Sequence, residues 1–147
     1  MKEDNIIAKG EFIIEDIYQV ENINKVDEII SFKIELSVEN FKIINIKEGK
    51  NTSGEVFLGK RIVIDVSLKI NLKYNANNSS RILFEEKENK NYIYINCAKE
   101  VQGINIEELK RKRKIKIQMS NKKIKIKKLD GENILFKVLG KVELIKI

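Results

Sequence analysis

The chain reads as an all-β protein: a twisted antiparallel β-sandwich or partly open barrel of about eight to ten strands, with at most one short helix. Three observations predict this. From Ile62 to Tyr74 every even-numbered residue is apolar (Ile62, Ile64, Val66, Leu68, Ile70, Leu72, Tyr74), and after Val63 the odd ones are polar (Asp65, Ser67, Lys69, Asn71, Lys73). A strand reverses side-chain direction at each residue, so seven apolar groups share one face; a helix would scatter them around its circumference. Second, the apolar residues are tilted towards Ile and Val, with few Ala, which favours strands. Third, proline is absent, so Asn and Gly must make the turns between alternating runs.

Taken in order, Glu11 to Tyr18 and Ile29 to Val38 are candidate strands; in the second, Phe32, Ile34, Leu36 and Val38 alternate with Lys33, Glu35, Ser37 and Glu39. Phe41 to Ile46 follows after Asn40. Glu48 to Gly54 is a loop. Val56 to Leu58 is a short strand that Gly59-Lys60 turns into the long one. At about 3.3 Å per residue the long strand spans roughly 43 Å. That is well beyond the usual length, so coiling is expected, or a bulge where Val63 breaks the pattern. Asn75 to Ser80 is a polar loop. Arg81 to Phe84 and Tyr92 to Cys97 are strand-like, separated by the charged stretch Glu85 to Lys90. The helix candidate is Ile106 to Lys112 with Asn105 as its N-cap. From Lys114 onward the chain is β again. The length of 147 residues fits a single domain with an ample core.

Two hairpin turns organise the C-terminal part. A two-residue loop at Ser120-Asn121 would place Ile117 opposite Ile124 and Ile115 opposite Ile126. A three-residue loop at Leu129-Asp130-Gly131, with Gly in the left-handed position, would place Ile126 opposite Ile134 and Ile124 opposite Phe136. One face of the resulting three-strand meander is apolar. The other is lysine, with Lys114 opposite Lys127, Lys116 opposite Lys125 and Lys123 opposite Lys137.

Charge is concentrated in the same place. The chain holds 29 Lys and Arg against 22 Asp and Glu, for a net charge of +7. Lys110 to Lys128 holds 11 of the basic residues and no acid, which leaves the remainder net acidic. Facing lysines destabilise a sheet by up to about 1 kcal/mol per pair, so acids are expected nearby: Glu85, Glu86 and Glu88 of the same chain, or those of a partner. The candidate partner-binding face is therefore Lys114, Lys116, Lys123, Lys125, Lys127 and Lys137, offered to an acidic protein surface. The plainer alternative is a solvated lysine face that stops sheets from pairing edge to edge. Nucleic acid fits less well, because the polar face carries no aromatic and the two arginines of the basic stretch, Arg111 and Arg113, precede the strand.

Catalytic chemistry finds little footing. Histidine is absent and Cys97 is the only cysteine, so the commonest general base and the paired thiols of a zinc site are both missing. Cys97 is expected to be a small buried hydrophobe. Gly49 to Gly59 opens into a strand and lacks the helix N-terminus that binds phosphate. Carboxylates are plentiful, Glu85-Glu86 and Glu107-Glu108 among the adjacent pairs. Neighbours on a strand point to opposite faces, and these acids are expected to coat the surface. No catalytic residue, metal site or cofactor is expected. The chain shows no apolar run of membrane-spanning length. The acids of Met1 to Asn5 and the interruption at Lys9 argue against a secretory signal, so cytoplasmic synthesis is expected.

Residues 26 to 98 carry a family resemblance, extending less closely to 147. Val26-Asp27-Glu28-Ile29-Ile30 opens it. Gly54-Glu55-Val56-Phe57-Leu58-Gly59-Lys60-Arg61-Ile62-Val63-Ile64 follows, then Leu68-Lys69-Ile70-Asn71-Leu72-Lys73-Tyr74-Asn75-Ala76. In order and spacing these pieces resemble the SPOCS domain of clostridial spore proteins, the module of SipL-type spore morphogenesis proteins. Members usually continue with Val-His and Pro-Phe pairs; here Arg81-Ile82-Leu83-Phe84 to Asn91-Tyr92 contains neither His nor Pro. SipL-type proteins also carry a peptidoglycan-binding LysM module. None is read here, so adhesion to the cell wall is not implied. The resemblance implies a structural or adaptor role in spore coat or cortex assembly. Its partners would be other spore-envelope proteins, or further copies joined through sheet edges, on the mother-cell side of the forespore or in the coat.

Overall fold

A computed structural model describes residues 5–21, 25–57, 59–76, 80–98, 100–101 and 103–147. In chain order its elements are β1 (Ile6–Gln19), β2 (Val26–Asn45), β3 (Gly49–Lys50), β4 (Val56–Phe57), β5 (Gly59–Ala76), β6 (Ile82–Ala98), β7 (Glu100–Val101), β8 (Ile104–Asn105), α1 (Ile106–Arg111), β9 (Ile115–Lys128) and β10 (Asn133–Lys146). The long strands form two antiparallel three-stranded sheets, ordered β1-β10-β9 and β2-β5-β6. Two-residue ribbons β3-β4 and β7-β8 decorate one end. The protein is a β-sandwich whose two inner faces share one core.

The alternation in β5 behaves as its sequence demands. Ile62, Ile64, Val66, Leu68, Ile70, Leu72 and Tyr74 are all 0–1% exposed. β5 runs between two partners, so its backbone is saturated on both sides. Its register with β6 is unbroken from Gly59↔Ala98 to Asn75↔Ile82. No bulge occurs at Val63; the irregularities lie in β2, at Val26/Glu28, Ile29/Ser31 and Val38/Asn40. An edge strand absorbs an extra residue with fewer broken hydrogen bonds than a central one. That bulge near Asn40 also lets Ile29–Val38 and Phe41–Ile46, expected as two strands, run on as one.

Two further segments expected to be separate are fused. Glu85–Lys90 is strand throughout, because each of its residues pairs with β5 and its charged groups alternate between the outer face and the sandwich end. The expected loop at Glu48–Gly54 contains β3, closed by an Asn51 side chain that accepts from the Ser53 and Glu55 amides. Leu58 and 77–79 of the Asn-rich loop lie outside the described residues. α1 forms where expected. The Asn105 side chain caps it by accepting from the Glu107 amide at 2.9 Å, while Ile106 and Leu109 are buried. Its far end closes with the Lys114 amide on the Leu109 carbonyl and the Arg113 amide on that of Lys110, Arg113 standing at φ 56° where glycine is usual.

The sandwich is closed along one side and open along the other. On the closed side β1 runs beside β6, burying Phe12, Ile14, Ile93 and Ile95. On the other side β9 and β2 barely touch. From Ile29 onward the inward residues of β2 (Ile29, Phe32, Ile34, Leu36, Val38, Phe41 and Ile43) are only half-buried. One end of this open seam is tied: the Val26 amide donates to the Gly131 carbonyl and Lys128 Nζ to the carbonyls of Val26 and Asp27.

Candidate partner-binding edge

The cationic segment does not form a hairpin at Ser120-Asn121. Ile115–Lys128 is one strand, so the expected pairs Ile117–Ile124 and Ile115–Ile126 do not form. A one-residue bulge sits there instead, between Leu139↔Lys123 and Lys141↔Ser120, with Asn121 at φ 52°. Apolar residues switch from odd positions (Ile115, Ile117, Met119) to even ones (Ile124, Ile126), and a tight hairpin or a bulge accommodates such a switch equally well. The bulge wins because β10 offers an equally long partner: Val142 and Leu144 receive Met119 and Ile117, while Val138 and Phe136 receive Ile124 and Ile126. Gly140 lies at the bulge because a Cβ there would meet the Phe12 ring at 2.7 Å.

The second turn is also corrected. Ile134 pairs with Lys128 and Phe136 with Ile126, two residues from the expected register. Asp130 caps the loop by accepting from the amides of Glu132 (2.7 Å) and Asn133 (2.8 Å), and these bonds hold its carboxyl below the ordinary range. Gly131 is not left-handed; it is required because a Cβ would meet that of Lys25 at 2.9 Å.

These corrections move the lysines without dispersing them. Lys116, Lys123, Lys125 and Lys127 lie on the outer face of β9, opposite Ile145, Leu139, Lys137 and Leu135. Lys125 and Lys137 make a facing lysine pair; the three expected pairs do not form, since Lys114–Lys127 and Lys116–Lys125 fall within one strand's length and Lys123 meets Leu139. Lys114 precedes β9, where its carbonyl accepts from the Ile147 amide. Lys137 is paired with Glu15 across the sheet at 3.6 Å. Among the described residues, Lys114, Lys116, Lys123, Lys125 and Lys127 have no ion pair.

The internal acids expected to answer them are engaged elsewhere. Glu85 points inward and closes the β1–β6 side: Tyr18 and Tyr74 donate their hydroxyls to its two oxygens at 3.0 and 2.9 Å. The Glu21 amide adds a third bond. Burial, reinforced by this carboxylate, raises both phenols, Tyr74 to about 12. Glu86 points outward to Lys69, and Glu88 accepts from Ser67 and Lys90, which holds it below the usual range. Glu85 is thus not a surface acid, although it does diverge from Glu86. Glu107 and Glu108 diverge as well, to Lys60 and Lys112. Cys97 is buried as expected, and burial pushes its thiol up.

Sequence reasoning missed two positions that parity would have found. Lys60 has the even parity of the buried β5 row and is 6% exposed, its ammonium held by Asn45 and by Glu107 at 2.7 Å. Glu85 shares the odd parity of Ile93 and Ile95. Ile124 and Ile126 face inward, yet remain 40% and 41% exposed, because no strand covers the open seam beside them.

Among the described residues no helix is long and apolar enough to cross a membrane. Compared with family models, curated proteins and solved structures, the chain matches none.

Proposed function

We propose that this protein is a non-enzymatic structural or adaptor module of the spore envelope, supporting coat or cortex assembly through protein–protein contacts. The observation that carries the binding part is the outer edge of β9. Five exposed lysines there or beside it make no ion pair among the described residues, so an acidic surface brought to them meets charge that is not already paired. The spore setting rests on the resemblance of residues 26 to 98 to the SPOCS family. Replacing Lys114, Lys116, Lys123, Lys125 and Lys127 with Glu tests the reading. Capture of acidic envelope proteins from sporulating cells is expected to vanish while the circular-dichroism spectrum stays β; unchanged capture defeats the site.

A nucleic-acid or anionic-polymer binder using the same face is the second reading, favoured by the density of charge in 110–128. Titrating random oligonucleotides at rising salt separates the two. Tight binding that falls steeply with salt supports the polymer reading, because counterion release dominates such complexes.

A further inference from the structure

The binding reading above leaves open what kind of surface β9 accepts, and the geometry of the open seam answers it. β9 ends its sheet: among the described residues, no strand pairs with its far side. Its unpaired amides and carbonyls therefore form a template for one more strand. Beyond the bulge the template has two distinct faces. Lys123, Lys125 and Lys127 point outward, while Ile124 and Ile126 point into a seam whose opposite wall is the half-buried apolar row of β2. An added strand would cover that row. Its own inward residues must be aliphatic, and its outward residues must answer three ammonium groups.

A second copy of this chain meets those demands poorly. Two β9 edges brought together would set lysines against lysines, which is unfavourable at each facing pair. The β2 edge of another copy presents an outward face of mixed sign, Glu28 and Glu35 alongside Lys33 and Lys42. Resting on the proposed binding role, we infer that β9 takes up, by strand addition, an extended segment of another protein in which Asp or Glu alternates with aliphatic residues. Backbone pairing supplies the attachment, and alternate side chains supply the selectivity.

Three synthetic peptides test this against the whole protein, with backbone amide shifts of 122–128 as the readout. The first alternates Glu and Ile. The second has the same composition with its Glu and Ile in separate blocks. The third is the alternating peptide N-methylated at every second residue, so that one edge cannot donate. The alternating peptide is expected to bind, shifting and protecting amides of 122–128. The block isomer and the methylated peptide should each bind about tenfold more weakly or worse, equivalent to about 1.4 kcal/mol. Equal binding of all three would overturn strand addition while leaving an electrostatic docking face intact, so the two readings fail separately. Protection of 122–128 that rises with protein concentration without peptide would assign the edge to a second copy and overturn the inference. A K123Q/K125Q/K127Q variant, altered only at exposed positions, should lose the preference for Glu over uncharged Gln peptides. If it keeps that preference, the assigned side chains are wrong.

Discussion

β5 and β9 both alternate apolar with polar residues, and they meet opposite fates. β5 lies between two partners and buries every apolar residue of its inward row; β9 lies at an edge and leaves Ile124 and Ile126 about two-fifths exposed. Both are built from the same pattern, Ile or Leu alternating with polar residues. Position in the sheet, not composition, decides whether that pattern becomes core or remains available. A polar row of mixed sign suits a strand with neighbours on both sides. A row of one sign suits a strand with a neighbour on one side only, because it repels unwanted copies.

Stability measurements should show this contrast most strongly. Leu68→Ala removes a fully buried side chain from the centre of β5 and should cost about 2–5 kcal/mol in urea unfolding. Ile126→Ala on the β9 edge should cost about 1 kcal/mol or less, since much of its surface is already in water. Comparable losses would mean that the seam is closed in solution.

The closed side can be broken next. Glu85→Ala would orphan the hydroxyls of Tyr18 and Tyr74, at about 1–3 kcal/mol for each hydroxyl left without an acceptor. Glu85→Gln keeps an acceptor and should cost less. The same clasp sets an alkaline limit. Tyr74 is raised from 10.0 in the free side chain to about 12, and Tyr18 is raised as well. The unfolded chain therefore ionises first, so the contribution of these phenols is complete below pH 10 and is lost as pH rises towards 12. Urea midpoints between pH 9 and 12 should fall in the parent and fall less in a Tyr74→Phe variant.

Two left-handed residues give smaller effects than the Glu85 clasp. Asn121→Val at the β9 bulge should cost about 1–2 kcal/mol, because a β-branched side chain resists that conformation. Arg113→Gly at the end of α1 should gain up to about 1 kcal/mol for the same reason. Thermal unfolding checks both, and an Asn121→Val variant of undiminished stability would argue against the bulge.

How far the sequence could be read follows from the same physics. Even positions 62 to 74 specify one buried face because only a strand brings them together. Asn105 before Glu107 and Glu108 specifies a helix start because its side chain reaches their amides. The phase change around Ser120 was visible but ambiguous: a hairpin and a bulge displace the alternation equally, and only the length of β10 separates them. The merging of 81–84 with 92–97 was hidden because local charge says nothing about the β5 backbone waiting alongside. Lys60 and Glu85 are hard to read from the sequence because their charge argues against the inward parity that places them. Both are polar groups at inward positions that the fold satisfies with specific partners.

The bulge at Asn121 makes the character of this flank depend on a count rather than on identities. Losing that single codon would leave composition almost untouched. It would bring Ile115, Ile117 and Met119 into one unbroken alternation with Ile124 and Ile126 and keep their partners on β10, whereas one further residue there would swing the downstream ammonium groups towards the greasy interior unless the ribbon slid one step. In this stretch, an added residue should therefore be tolerated far less than the loss of the one at the bulge.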